Sequence, residues 1–450
     1  MIYSYKRKNT IIDVLSFCFI FLNVLFITVT DFQSLYSYLY TFLLFVIINK
    51  VIKAEIFFLR NLLVLNFFIF LSILLYWGHY LIMPDSFGFS GMYGGIGTDD
   101  SRFFAGVASS DVNIPWYGMG YIGMDHSFVK FLKILYPFKI VHPLTILIPN
   151  ILGICFIPHF TSKLTNLLTK DIKIAKTAYT LVLFCPVLLS NSLILMRDGW
   201  VAFFTLIGVY YLIKNKFLNF IISLCLLFFV RPGSGLLLLC ASMFYFNKSY
   251  LKGATINIIP KVLFLLLGLG MVTFLLLPFI SEYLLEKGFE GLDRQSFVES
   301  IIKEADEGSI IYKIYSLPIY LKVPLGFIFF IFLPFFRVEF YTLGVLNIRS
   351  IMYTMLMPIL SLFYFKYFFK GIIHFFKIKN EDMTRFFYMF CFCILMISQV
   401  SIQPRHKTGL MPFFYIFVAY GYHKGTPISK AIGSALFVFL FLIQFVLEFF

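Results

Sequence analysis

Long apolar runs interrupted by short polar stretches dominate this chain. The runs fall near residues 11–29, 33–49, 61–82, 141–159, 177–196, 199–213, 217–230, 235–247, 258–280, 320–336, 351–368, 384–402, 409–422 and 429–449. A helix needs about 20 apolar residues to cross a bilayer, so the longer runs predict transmembrane helices. The pattern predicts an all-α, polytopic integral membrane protein of about 12–14 spans, forming a single transmembrane domain. Several runs are too short for a straight crossing. The group 199–247 is broken by Arg231-Pro232-Gly233-Ser234-Gly235. Proline and glycine at membrane depth survive only against protein or a wet cavity. These helices are therefore expected to be tilted, broken or re-entrant. No internal repeat, heptad array or low-complexity tail divides the chain.

Residues 1–30 pair a basic start with an apolar run, as a signal peptide does, but lack its small-residue cleavage pattern. They are read as a retained first helix. With the N-terminus cytoplasmic and the spans alternating, two long segments fall on the outer side as periplasmic loops, 83–135 and 281–319. The second is rich in carboxylates (Glu282, Glu286, Glu290, Asp293, Glu299, Glu304, Asp306, Glu307). The turns at 197–198, 231–235 and 403–408 come out on the same side. Counting both 320–336 and 351–368 as full crossings would put the basic stretch 366–379 outside. It is expected inside, so one of those two runs does not cross.

Composition strengthens the membrane reading. Of 450 residues, 60% are hydrophobic and only 13% charged, about half the charged share of a soluble domain. One core cannot hide that much apolar surface, so lipid must cover part of it. The net charge of +15 does not imply nucleic acid. Its basic residues cluster between apolar runs, at Lys6-Arg7-Lys8, Lys50 to Arg60, Lys163 to Lys176, Lys214 to Lys216, Lys248 to Lys252 and Lys366 to Lys379. That is the positive-inside pattern of cytoplasmic loops. All 7 cysteines lie in apolar runs, so neither a disulfide nor a thiolate metal site is expected.

Four polar points carry the candidate chemistry. "GGIGTDDSRFF", residues 94–104, sets Asp99, Asp100 and Arg102 behind a glycine run, with Asp111, Trp116, Asp125 and His126 following. Paired carboxylates near an arginine suit a general base or a metal ligand, and also suit a solvated turn. "NSLILMRDGW", 191–200, interrupts apolar helices with Arg197 and Asp198. "FFVRPGSGL", 228–236, sets Arg231 beside glycines, and "QPRHKTGLMP", 403–412, gathers Arg405, His406 and Lys407. An ionisable group at the membrane edge usually faces a cavity, and guanidinium pairs phosphate oxygens two at a time. The less specific alternatives are a helix-hairpin cap, a snorkelling arginine and an ordinary cytoplasmic turn. His79, His142 and His159 lie near span ends and read as structural. Motifs of P-loop enzymes, serine hydrolases and zinc proteases are missing.

Together these points suit an anionic, lipid-linked substrate, with arginines for a diphosphate and an aspartate for a proton. "GTDDSRFF" is similar to the acidic first outer loop of C-type membrane glycosyltransferases. "NSLILMRDGW", "FFVRPGSG", "VPLGFIFFIFLPFF" and "PRHKTGLMPFF" resemble segments of bacterial O-antigen and capsule polymerases of the Wzy type. The likeness runs loosely over residues 90–420. Some such polymerases carry an arginine, ten residues, then a glycine in outer loops. Arg197 and Gly208 have that spacing, though Gly208 lies deep in an apolar run. Basic character in the late long loop marks the related ligases; here that loop is acidic.

The resemblance implies a bacterial inner-membrane enzyme that joins undecaprenyl-diphosphate-linked repeat units at the periplasmic face. Its implied partners are that lipid-linked oligosaccharide, membrane lipid and a chain-length regulator of the Wzz type. No cofactor is implied. Arg197, Arg231 and Arg405 would hold diphosphate and Asp99 or Asp100 would act on the acceptor, with Arg102, His406 and Asp198 as secondary candidates. Two other readings stay open. One is a C-type glycosyltransferase adding single sugars from a polyprenyl phosphate, possible with a divalent metal. The other is a flippase of lipid-linked sugars, which should carry charges along a central path and a repeat between halves.

Overall fold

Among the described residues the apolar runs fold as helices, and their polar breaks become the helix ends. The computed structural model describes residues 2–90, 92–93, 96–97, 99–108, 126–140, 142–250, 314, 317–332, 341–342, 345–346, 348, 364, 366–372, 381–400, 404–428, 431–436, 438–439 and 442. Helices α1 (Ile2–Thr30), α2 (Ser34–Val51) and α3 (Phe58–Ile82) come first. A two-residue ladder, β1 (Met92–Tyr93) against β2 (Ile96–Gly97), precedes α4 (Asp99–Val107) and α5 (Ser127–Leu135). The centre is α6 (Pro143–Asn150), α7 (Leu152–Cys155) and α8 (Ile157–Thr169), then α9 (Ile172–Leu183) and α10 (Pro186–Ser192). Next are α11 (Asp198–Ile213), α12 (Phe217–Val230) and α13 (Pro232–Tyr250). Beyond them lie α14 (Ile319–Phe332), a second ladder β3 (Tyr341–Thr342) with β4 (Val345–Leu346), α15 (Glu381–Val400), the 3-10 turn Pro404–Leu410 and α16 (Met411–Lys424).

Four helical stretches are long and apolar enough to cross a membrane: Ile11–Thr30, Ser34–Val51, Glu55–Ile82 and Pro143–Thr169. A fifth is added if α9 and α10 count as one span bent by 47° at the break before Pro186. The proline cannot donate the backbone hydrogen bond that would carry the helix through. Asp198–Ile213 and Phe217–Val230 are shorter, as expected for the interrupted group. Sixteen residues rise about 24 Å, less than a bilayer core of about 30 Å.

The core lies around α6–α8, α11 and α16. Residues 143–161 are buried throughout, and α11 buries nearly every side chain. The outer helices α1 and α2 instead expose Phe17, Phe21, Val29, Tyr36 and Leu43. Polar side chains bond between helices. Asn23 Nδ2 donates to Asn66 O at 3.0 Å, Tyr38 Oη to Asn66 Oδ1 at 2.5 Å, and Ser37 Oγ to Thr145 O at 2.6 Å. With no water in an apolar medium, such bonds fix which helices pair.

The segment expected as a first long loop, 83–135, contains structure of its own. Its α4 and α5 pack together, and Phe128, Val129 and Leu132 are fully buried. Asp111, Trp116 and Asp125 lie outside the described residues, as does the second expected loop apart from residues 314 and 317–319.

Candidate functional site

The ends of α6, α10 and α12, the starts of α4 and α11 and the 3-10 turn meet at one end of the bundle. Asn150, at the end of α6, builds the first part. Its Nδ2 donates to Ile194 O and Met196 O, both at 3.2 Å, and its Oδ1 accepts from Trp200 Nε1 at 3.0 Å. Ser72 Oγ donates to Leu193 O at 2.5 Å. These bonds satisfy carbonyls of the buried turn between α10 and α11 and hold Arg197 immediately before the α11 N-terminus. Gly153 is needed here, because a Cβ would run into the Trp200 ring. Asp198 opens α11, where a carboxylate meets the positive end of the helix dipole.

Arg231 ends α12 in an extended conformation, φ −154° and ψ 97°. The following Pro232 disfavours helical geometry at that residue. The bend brings Arg231 Nη1 to 3.6 Å from Asp198 Oδ1. Arg405, on the 3-10 turn, puts its Nη1 2.6 Å from Asp99 Oδ2, across 306 positions of sequence. Arg102 Nη1 stands 4.0 Å from the other oxygen of Asp99, one turn along α4. Phe103 of the same helix packs on Phe128 of α5, with centroids 4.8 Å apart, and faces the Arg197 guanidinium at 6.0 Å.

The structure thus brings Asp99, Arg102, Arg197, Asp198, Arg231, Arg405 and His406 into one neighbourhood. Asp100 is set apart. It is buried, its Oδ2 accepts from Ser90 N at 2.8 Å, and its Oδ1 accepts from Ser90 Oγ at 3.1 Å and Ser101 N at 3.0 Å. Its carboxylate fastens the chain before the β ladder to the start of α4.

The electrostatics are those of an anion cradle. Burial and then the neighbouring Arg231 bring Arg197 down from the ordinary arginine range to about 10. Burial, followed by Arg231, Arg405 and Arg197, holds His406 well below the usual imidazole range, so its ring is neutral at pH 7. Arg231 and Arg405 each have a carboxylate within 4 Å, whereas among the described residues Arg197 has none. Lys407 turns inward. Its Nζ donates to Ile331 O at 2.6 Å between the Phe330 and Phe414 rings, and burial lowers it to about 7. It ties the turn carrying Arg405 to the last turn of α14. Among the described residues, no three or more His, Cys, Asp or Glu side chains group as metal ligands.

Asn150, Ser90 and Ser72 support the site but were not singled out in the sequence. Only Asn150 gives a signal there, as an amide closing the apolar stretch "PLTILIPN". His126 caps α5 through Phe128 N at 3.2 Å, and His142 caps α6 through Leu144 N at 3.2 Å. Gly208 is a packing position inside α11, its missing Cβ facing Leu238 of α13 at 3.0 Å. Comparison of the chain with protein-family models, with curated proteins and with solved structures finds no match.

Proposed function

We propose that this protein is a multi-pass bacterial inner-membrane glycosyltransferase that polymerises undecaprenyl-diphosphate-linked oligosaccharide units at the periplasmic face. The observation that carries this reading is the meeting of Arg197, Arg231 and Arg405 with Asp99 at one end of the bundle. In this mechanism the arginines hold the diphosphate of the growing chain's lipid. The bond between the reducing-end sugar carbon and the diphosphate oxygen breaks. A hydroxyl of the next lipid-linked unit bonds to that carbon and gives its proton to Asp99. Negative charge grows on the leaving diphosphate, where preset guanidiniums stabilise it most.

Orientation follows from charge. Helix α11 begins at the arginine cluster, and Lys214, just past its other end, lies near Lys163. Lys170 and Lys216 lie at the neighbouring helix junctions. Positive-inside bias makes the lysine end cytoplasmic and the arginine end periplasmic. The same rule favours a cytoplasmic N-terminus, about 12–14 spans in all, and 83–135 and 281–319 on the outer face. Flippase chemistry is less well supported, because charges in the candidate spans gather toward their ends.

The test is the surface polysaccharide of a deletion strain, displayed by gel. Loss of the ladder with retention of core plus one repeat unit is expected. Loss of that single unit as well would transfer the reading to single-sugar transfer or flipping. In the complemented strain, Arg197→Ala and Arg231→Ala should lower polymer about 10–100-fold, the range for losing a charged hydrogen-bond partner. Protein abundance should be unchanged.

A further inference from the structure

Two residues with separate roles in the proposed reaction are bonded to each other. Asp99 is the proton acceptor and Arg405 a diphosphate holder, yet Asp99 Oδ2 lies 2.6 Å from Arg405 Nη1. Arg102 stands against the other oxygen. While that arrangement persists, Asp99 faces guanidiniums rather than an acceptor hydroxyl, and Arg405 spends a donor on Asp99. Neither partner is locked in the core, since the two side chains are 33% and 31% exposed. A partly exposed ion pair is weak enough to be exchanged by a competing anion. Asp198 is almost buried against Arg231, so that pair is the more permanent of the two.

We infer that the Asp99–Arg405 pair is a latch that a diphosphate opens. The incoming diphosphate first meets Arg197, which has no carboxylate within 4 Å among the described residues. It then takes Arg405 from Asp99. Exchanging a carboxylate for a single negative charge gains little, whereas a diphosphate also engages Arg197, so exchange is favoured for the multiply charged ligand. The freed Asp99 turns to the acceptor. The latch therefore makes the base available only after the donor is bound. This inference rests on the diphosphate reading of the site.

The test uses the full chain in detergent, with inorganic pyrophosphate as the probe and calorimetry as the readout. Removing an intramolecular competitor strengthens ligand binding. Asp99→Asn should therefore tighten pyrophosphate about 2–5-fold, as expected for a partly exposed ion pair. Arg405→Gln should weaken it. In the Arg405→Gln background, Asp99→Asn should have no further effect, since the contact is already gone. Unchanged or weaker binding by Asp99→Asn overturns the latch, as does a gain that survives in the double variant. A measurement on the unsubstituted protein guards against folding failure: pyrophosphate should raise amide exchange over α4, and unchanged or slower exchange would count against release. Failure of the latch is distinguishable from failure of its premise. If pyrophosphate binds and Arg197→Ala abolishes binding, the diphosphate site stands whatever Asp99→Asn does. No pyrophosphate binding at all removes both.

Discussion

Asp99 and Asp100 share a peptide bond and almost nothing else. Asp99 is partly exposed between Arg102 and Arg405, while Asp100 is buried on Ser90 and the Ser101 amide. Asp100→Asn replaces one acceptor oxygen by a donor facing donors, which costs about 1–3 kcal/mol. It should lower the melting temperature. Asp99→Asn should leave melting unchanged and stop polymer formation; a melting loss equal to that of Asp100→Asn would make both residues structural. Lys407 gives the pH prediction. Burial holds its amine at about 7 against an ordinary 10.5. Between those values the unfolded chain binds more protons than the folded one, so stability rises with pH across the window. Below about 7 both states are charged and the burial cost is fully present. Melting curves should show a rise from pH 7 to 10.5 that Lys407→Met reduces. An identical slope in the variant would assign the rise to other groups.

At the scale of elements, α16 and the helical residues 366–372 bring their backbones together at two glycines. Gly421 of α16 lies against the backbone of Tyr367 and Gly371, and Gly371 lies against the Phe417 carbonyl. A methyl at either position would strike backbone, which cannot swing aside as a side chain can. Gly421→Ala should therefore cost more than about 1 kcal/mol, the low end for overpacking. The detergent-solubilised protein should melt earlier, and a wild-type melting curve would show that the helices can separate freely. The position matters beyond α16, because the turn carrying Arg405, His406 and Lys407 leads directly into that helix. Interhelical bonds such as Asn23–Asn66 and Ser37–Thr145 hold the outer helices in the same directional way.

For the whole molecule, the apolar periodicity was enough to read helices and candidate membrane spans. Apolar length is a local property of the chain and a bilayer imposes one thickness on it, so α1, α2, α3 and the 143–169 stretch were legible as candidate spans. The polar breaks at Arg197, Arg231 and Arg405 were legible for a related reason: charge beside long apolar runs is costly and stands out. What the chain order could not convey was which breaks meet. Asp99 and Arg405 are 306 positions apart, and their distance depends on how α4, α5, α11, α12 and the 3-10 turn pack. The difference between Asp99 and Asp100 is likewise tertiary, since adjacent residues on a helix face different neighbours about 100° apart. Asn150 escaped notice because an amide in an apolar run gains its role only when the α10–α11 turn folds onto it. Local hydrophobicity thus determined the helices, their ends and the stock of charged residues, because those depend on each segment and its solvent. Packing alone decided which carboxylate faces which guanidinium, because that depends on segments brought together from across the chain.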